Sequence, residues 1–395
     1  FALLFGFLTF LLNYIPTFGS IIAGVFPTLT AVADDGGNPL GIRNIDHVEF
    51  WVDDAEHWAS SYERCYGMLR RAFGDCESGT AGKRSFVVGQ GRINFVFSQP
   101  EGDSAQAGVM RDHLEMHGCA VRDVAFRVED PAASLAQATK AGAPQHNAYT
   151  ETNGFCHTAI KTYGDTVHSF ITRTPGSGAV GTFAPGYTNL PGGIEDGDIN
   201  FMMIDHIVAN VEVMDEWANF YERIFGFKEI GYFDINSGKS ALMSKVLGGT
   251  DGYIKMPINE PTGKNSQIQI YLDDNNGPGV QHIALLTSDI IRATAAMRKQ
   301  GVEFLEVPDT YYEEVPKRVP LLKEDLETLR QLRILVDQDC PDGYLLQLFT
   351  QPVFDRPTLF HEIIQRRGNS EGFGEGNFQA LFEAIEREQA KRGLL

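Results

Sequence analysis

The sequence predicts an α+β fold built from two tandem copies of one domain. Three observations carry that expectation. First, the chain repeats itself: Ile45-Asp46-His47 matches Ile204-Asp205-His206, Trp58 matches Trp217, Tyr62-Glu63-Arg64 matches Tyr221-Glu222-Arg223, and Gly67 matches Gly226. Val121, Ala125, Lys140 and Gly142 match Val280, Ala284, Lys299 and Gly301, and every pair is 159 residues apart. One offset kept over nearly a hundred residues marks a duplication. Second, each copy reads strand, helix, strands, and then the same series again. Third, two short apolar runs that read as strands, Met203–Val208 and Gly279–Leu286, each enclose a histidine.

Taken in order, the chain opens on a segment that stands apart. Phe1 to Ala33 carries no charge, and about 20 such residues are the mark of a membrane helix. Asn13, Pro16 and Gly19 interrupt it, and it lacks the basic start of a signal peptide. Its Leu11-Leu12-Asn13-Tyr14-Ile15-Pro16 run resembles a permease of the autoinducer-exporter type, and residues 1–34 are set apart from the functional argument. A turn-rich link, Asp34–Pro39, leads to a first barrel expected over 38–173. A Gly- and Pro-rich linker over 174–200 precedes the second barrel, 201–371. There Ile204–Val211 is expected as a strand and Asp215–Ile224 as a helix with Trp217, Phe220, Tyr221 and Ile224 on one stripe. Gln267–Leu272 and Val280–Leu286 read as strands, Ile290–Gln300 as a helix, and Tyr344–Phe349 and Leu359–Gln365 as closing strands. The last part, 372–395, is a glycine-punctuated loop and a helix over Gln379–Arg392 whose apolar face, Leu381, Phe382 and Ile385, serves as a lid or as a docking surface. Two βαβββ modules per copy resemble the vicinal-oxygen-chelate superfamily. That resemblance implies curled sheets forming open barrels with room for a metal.

Composition narrows the function. Apolar content of 43% and charged content of 22% are those of an ordinary globular protein. A net charge of -19 argues against nucleic acid or an anionic membrane as partner of the 38–395 body. Five scattered cysteines without a Cys-x-x-Cys fit free thiols in a reducing, cytoplasmic setting.

The chemistry is carried by His206, His282 and Glu362. Glu362 lies inside the apolar run Leu359–Ile364, and a lone buried carboxylate is costly unless paired or metal-bound. Two histidines and a carboxylate on three strands form the facial triad of a non-haem Fe(II) site. The first copy offers His47, Asp123 and, by a looser match, Ser169, so the metal is expected in the second copy alone. His361 is the rival ligand, but strand neighbours face opposite sides, and charge favours Glu362. Gln347 with Phe349, and Gln267 with Gln269, should each share a strand face, whereas a regular pleat turns Gln281 away from the side of His282. Ser244 and Asn259 are equally consistent with ordinary turn hydrogen bonds.

From about Asn38 to Arg392 the chain closely resembles the 4-hydroxyphenylpyruvate dioxygenase family. The stretches that carry the likeness are Asn38–Arg43, Lys255–Pro261, Asn265–Gln269, Gly279–Ala284, Asp355–Phe360 and, most specifically, Gly372-Phe373-Gly374-Glu375-Gly376-Asn377-Phe378. The resemblance implies Fe(II) on His206, His282 and Glu362, and a polar substrate network of Ser244, Asn259, Gln267, Gln281 and Gln347. It implies an aromatic sandwich of Phe349, Phe373 and Phe378, with Asn377 and Leu381 on the lid. His361 departs from the pattern, which has a bulky apolar residue there. The implied reaction takes 4-hydroxyphenylpyruvate and O2 to homogentisate and CO2 in tyrosine catabolism, the substrate's own 2-oxo acid chelating the iron, in a homo-oligomer. Competing readings are a hydroxymandelate synthase with the same site and substrate, an extradiol dioxygenase, a metal-free binding protein of the same fold, and a membrane-tethered protein.

Overall fold

The duplication is visible strand by strand. The structure, a computed structural model, describes residues 37–177, 181–191, 197–236, 241–249, 252–262, 266–378 and 380. The permease-like segment and the helix expected over Gln379–Arg392, Leu381 included, lie outside them. The first half runs β1 (Ile42–Trp51), α1 (Ala55–Tyr66), β2 (Leu69–Gly74), β3 (Lys83–Gln90), β4 (Ile93–Pro100), α2 (Ala105–His117), β5 (Ala120–Val128), α3 (Pro131–Lys140), β6 (Gln145–Thr152), β7 (Phe155–Lys161) and β8 (Val167–Arg173). After a short β9 (Thr188–Asn189), the second half runs β10 (Phe201–Asn210), α4 (Met214–Phe225), β11 (Lys228–Asn236), β12 (Ala241–Gly248), β13 (Lys255–Pro261), α5 (Gln267–Asn275), β14 (Gly279–Thr287) and α6 (Ile290–Lys299). It continues through α7 (Thr310–Arg318), α8 (Leu326–Leu332), β15 (Leu335–Cys340), β16 (Gly343–Phe349) and β17 (Phe360–Arg367).

One sheet is ordered β6-β7-β8-β5-β1-β4-β3-β2-β9 and the other β11-β12-β13-β10-β14-β17-β16-β15. Apart from β9 these are the same order, with β1 and β10 antiparallel to β5 and β14 and parallel to β4 and β13. The fold is thus α+β, two tandem barrels of paired βαβββ modules. The repeated glycines have a local cause. Gly67 and Gly226 close α1 and α4 in the left-handed conformation, φ 65° and 71°, which glycine adopts at least cost.

The register also repeats its irregularities. The β1–β5 ladder slips around Asp46 and again around Arg122, and β10–β14 slips around Asp205 and Gln281. Each slip is a bulge that turns a side chain out of the regular alternation.

Two expectations need correction. Gln267–Leu272 is the first part of helix α5, not a strand. Ile268, Tyr271, Leu272 and Asn275 are buried at helical spacing, the Ser266 hydroxyl accepts from the Ile268 N–H, and Gln269 donates to Asp273 one turn on. The alternation of Gln and Ile over four residues imitated a strand. The stretch read as a bare linker contributes β9, which pairs with β2.

The halves share one core, and they lock reciprocally. Tyr62 on α1 donates to His361 on β17 at 2.6 Å, and Tyr221 on α4 donates to His168 on β8 at the same distance. Each histidine's Nδ1 donates to a backbone carbonyl, of Ile283 and of Val124. The first helix of each half thus packs on the last strand of the other.

Candidate metal centre

Seven of the eight strands of the second sheet send side chains into one cavity of ≈ 650 Å³, its open mouth included, so the sheet curls around it. His206 on β10, His282 on β14 and Glu362 on β17 meet at its wall. The strand order makes this possible. β14 lies between β10 and β17, with His206 facing Ala284 across one ladder and Ala284 facing Glu362 across the other. One oxygen of Glu362, Oε2, lies 3.1 Å from His206 Nε2 and 3.5 Å from His282 Nε2, and one donor atom from each residue falls within 4.8 Å of the others.

Outer contacts fix which ring nitrogen faces inward. His206 Nδ1 donates to Asp205 at 2.8 Å, and His282 Nδ1 donates to the Gln281 side-chain oxygen at 3.0 Å. Both Nε2 atoms are therefore directed at Glu362, as metal-bound histidines are by their second contact. Asp205 is in turn held by two bonds from Arg366, 2.7 and 2.8 Å long, and Arg366 also reaches the Gly372 carbonyl. Burial drives Glu362 toward its neutral form, but the His206 charge and both imidazole contacts win and hold its pKa below the usual range. Burial likewise opposes the charge on His206, which Glu362 and Asp205 nevertheless push up, while on His282 burial prevails and lowers the pKa. The second oxygen of Glu362, Oε1, is buried without a hydrogen-bond partner. Such an orphaned acceptor beside two imidazole nitrogens fits a cation.

The rest of the cavity is apolar and aromatic. Phe349, Phe373 and Phe378 line it, with Val208, Phe233, Ile235, Leu242, Val246, Pro257 and Phe360. Ser244, Asn259, Gln267 and Gln281 supply its polar groups. Gln281 faces inward with His282 because the bulge breaks the pleat that was expected to turn it away. Gln267 arrives from the first turn of α5 rather than from a strand, so it does not share a strand face with Gln269. Two expected contacts do not reach the cavity. Gln347, on the same face of β16 as Phe349, is covered by the glycine loop, its amide so close under Gly374 that a side chain at 374 would meet it at 2.1 Å. Asn377 turns toward Tyr311, whose hydroxyl it accepts from at 2.5 Å, and so anchors the glycine loop. His361 faces away from Glu362 into the seam between the halves.

Sequence reasoning missed Asp205, Arg366 and Phe360. For the first two a signal was there: Asp46 and Arg173 form the same bidentate pair in the first half. Ile-Asp-His recurs at the 159 offset, and Arg173 recurs as Arg366 at the offset that relates His168 to His361.

Fold and site define a class. A family model described as the glyoxalase, bleomycin resistance protein and dioxygenase superfamily matches residues 203–315, and one described as hydroxyphenylpyruvate dioxygenase, N-terminal, matches residues 37–182. The chain is 43% identical over 385 residues to a 4-hydroxyphenylpyruvate dioxygenase of Neurospora crassa, covering 89% of this chain and 92% of that one. It is 41% identical over 391 residues to one of Danio rerio, covering 93% and 96%. Among solved structures, a triply substituted 4-hydroxymandelate synthase from Streptomyces coelicolor superposes with a TM-score of 0.77 at 28% identity, over 88% of this chain and 99% of that one. The chain belongs to the 4-hydroxyphenylpyruvate dioxygenase family. It is an oxidoreductase of the dioxygenase class, and its family implies a bound metal.

Proposed function

We propose that His206, His282 and Glu362 hold Fe(II), and that the chain converts 4-hydroxyphenylpyruvate and O2 to homogentisate and CO2. The observation that carries this is the convergence of two oriented Nε2 atoms and one carboxylate oxygen on the wall of an aromatic cavity. When bound, iron supplies O2 activation and a chelation point for the 2-oxo acid. The chain's own residues position and exclude. Asp205 and Gln281 hold the imidazoles in their working tautomer, and Arg366 holds Asp205. Phe349, Phe373 and Phe378 offer faces for the substrate ring, while Ser244, Asn259, Gln267 and Gln281 offer polar contacts to its carboxylate or its phenol. The apolar remainder keeps water from a reactive oxidant. We assign Gln347 and Asn377 to holding the glycine loop, keep Leu381 as a lid contact to the substrate, and take the second barrel as the catalytic one.

Hydroxymandelate formation is the second reading, favoured by the likeness to the Streptomyces coelicolor enzyme. Placement of the ring against Phe349 and Phe373 decides between the two products. The test is anaerobic reconstitution with Fe(II), addition of 4-hydroxyphenylpyruvate and O2, and identification of products. Homogentisate with CO2 is expected. Hydroxymandelate would keep the site and change the product, and absence of bound iron would leave only a metal-free binding protein. The same reading places the chain in the cytoplasm as a homo-oligomer, to be checked by cell fractionation and sedimentation. No described helix is long and apolar enough to cross a membrane.

A further inference from the structure

A second group of metal-binding side chains is gathered among the described residues, remote from Glu362 in the chain and on different elements. His113 and His117 lie one turn apart at the C-terminal end of α2, so their rings leave the same face of the helix. The turn between β7 and β8, Tyr163-Gly164-Asp165-Thr166, presents Asp165 to them. His113 Nδ1 is 3.0 Å and His117 Nε2 is 3.4 Å from the same oxygen, Asp165 Oδ2. One donor atom from each residue lies within 4.8 Å of the others. Bonds of about 2.0–2.1 Å at tetrahedral angles put neighbouring ligand atoms about 3.3–3.5 Å apart, so a zinc-sized ion needs only a small spreading of this cluster.

The surroundings are built to hold that arrangement. Both imidazoles are buried, with side chains 3% and 6% exposed, while the carboxylate is 52% exposed and leaves a path for water to a fourth position. His117 Nδ1 donates to the Asn275 carbonyl at 2.5 Å, which leaves Nε2 directed at Asp165 in the way that outer contacts orient metal-bound histidines. The turn is closed by the Thr166 N–H on the Tyr163 carbonyl at 3.0 Å. It is pressed so hard on the second half that a side chain at Gly164, φ 54°, would stand 2.4 Å from the Pro278 carbonyl. Asn275 ends α5 and Pro278 immediately precedes β14, so the cluster sits on the seam between the halves. Arg356 and Asn276 reinforce the same seam by donating to the Glu115 and Met116 carbonyls.

We propose that His113, His117 and Asp165 form a second divalent-metal site, of the Zn2+ type, that ties α2 to the β7–β8 turn within the first barrel, against the seam with the second. Two imidazoles, one carboxylate and a water are the donor set of an open zinc site, and a helical His-x-x-x-His pair supplies two ligands without backbone movement. The site is independent of the iron reading, because it shares no residue with it.

The test is zinc content per chain after dialysis of metal-free protein against a limiting Zn2+ buffer. Wild type is compared with Asp165→Asn and His117→Gln. One fewer zinc per chain is expected in each variant, whatever the first site retains. Zn2+ should also raise the Tm of wild type more than that of Asp165→Asn, whose substitution lies on a half-exposed turn. Turnover of Fe(II)-loaded Asp165→Asn should stay within twofold of wild type. Equal zinc content in wild type and both variants would overturn the proposal.

Discussion

Where the second half has His282 the first has Asp123, and where the second has Glu362 the first has Ser169. The Ser169 hydroxyl donates to Asp123, so this carboxylate is satisfied within its own half. Val208 and Leu242 line the second cavity. Their counterparts 159 residues earlier are Glu49 and Lys83, which close on each other across the first cavity at 2.5 Å. Burial opposes both charges, yet each partner's charge prevails, raising the Lys83 pKa and lowering that of Glu49. One sheet order therefore supports two interiors, one ion-paired and one apolar with convergent donors. The difference teaches that a fold of this kind supplies a curled wall, and that a few facing residues decide whether the wall holds a metal.

The sharpest way to break this comparison is to remove the carboxylate from one half and its counterpart from the other. Glu362→Ala should release the metal and lower kcat/KM by about four orders of magnitude, some 5 kcal/mol of transition-state stabilisation. Ser169→Ala should change turnover less than twofold. Metal analysis and steady-state kinetics on both variants check it, and a Glu362→Ala chain that kept its metal would move the centre elsewhere.

The next effect concerns the ion-paired interior. Lys83→Leu alone leaves the Glu49 charge buried without its countercharge, only the Ser98 hydroxyl still donating to it at 2.6 Å, and should cost about 3 kcal/mol in urea unfolding. Adding Glu49→Val copies the second half's Val208 and Leu242. It should restore stability to within about 1 kcal/mol of wild type or above it, because an apolar pair avoids the desolvation of two charges. A double variant as unstable as the single one would mean that the ion pair does more than fill space.

A smaller effect is read by pH. Burial lowers the His168 pKa to about 3, against about 6.5 in an unfolded chain. The unfolded state then binds the extra proton, so this histidine's contribution is fully present above about pH 6.5 and is lost as pH falls toward 3. Near pH 5 the loss should reach about 2 kcal/mol. His168→Leu, cheaper or dearer at neutral pH, should flatten that part of the stability profile.

How much of this was legible in the sequence follows from what repeats. Copies at a fixed offset exposed the duplication, and the donor types His206, His282 and Glu362 stood out because polar residues in apolar runs need a reason. Helix α5 was misread because Gln267–Ile270 alternates, and only Tyr271, Leu272 and Asn275 beyond it set the helical period. A regular pleat alone would turn Gln281 away, because a bulge is a property of two paired strands, which one strand's sequence does not carry. Helices α7 and α8 lengthen the second half, which shifts the offset from 159 for His206 to 193 for His361. That shift hid Arg173 and Arg366 as a repeated pair.

The same shift hid the reciprocal tyrosine–histidine bonds, and these give the finest test of the comparison. His168 and His361 are both buried and equally bonded, but Glu362 follows the second of them while Ser169 follows the first. Tyr62→Phe and Tyr221→Phe each remove one buried hydroxyl and should each cost about 1–2 kcal/mol of stability. Their effects on metal binding should differ. Without Tyr62, His361 loses the contact that fixes the strand beside Glu362, so metal affinity should fall several-fold. Without Tyr221, the altered strand carries only Ser169, and metal affinity should not change. Chemical denaturation and Fe(II) titration of the two variants check both halves of that expectation. Equal metal affinity in the two would show that β17 is held by its neighbours β14 and β16, independently of the seam.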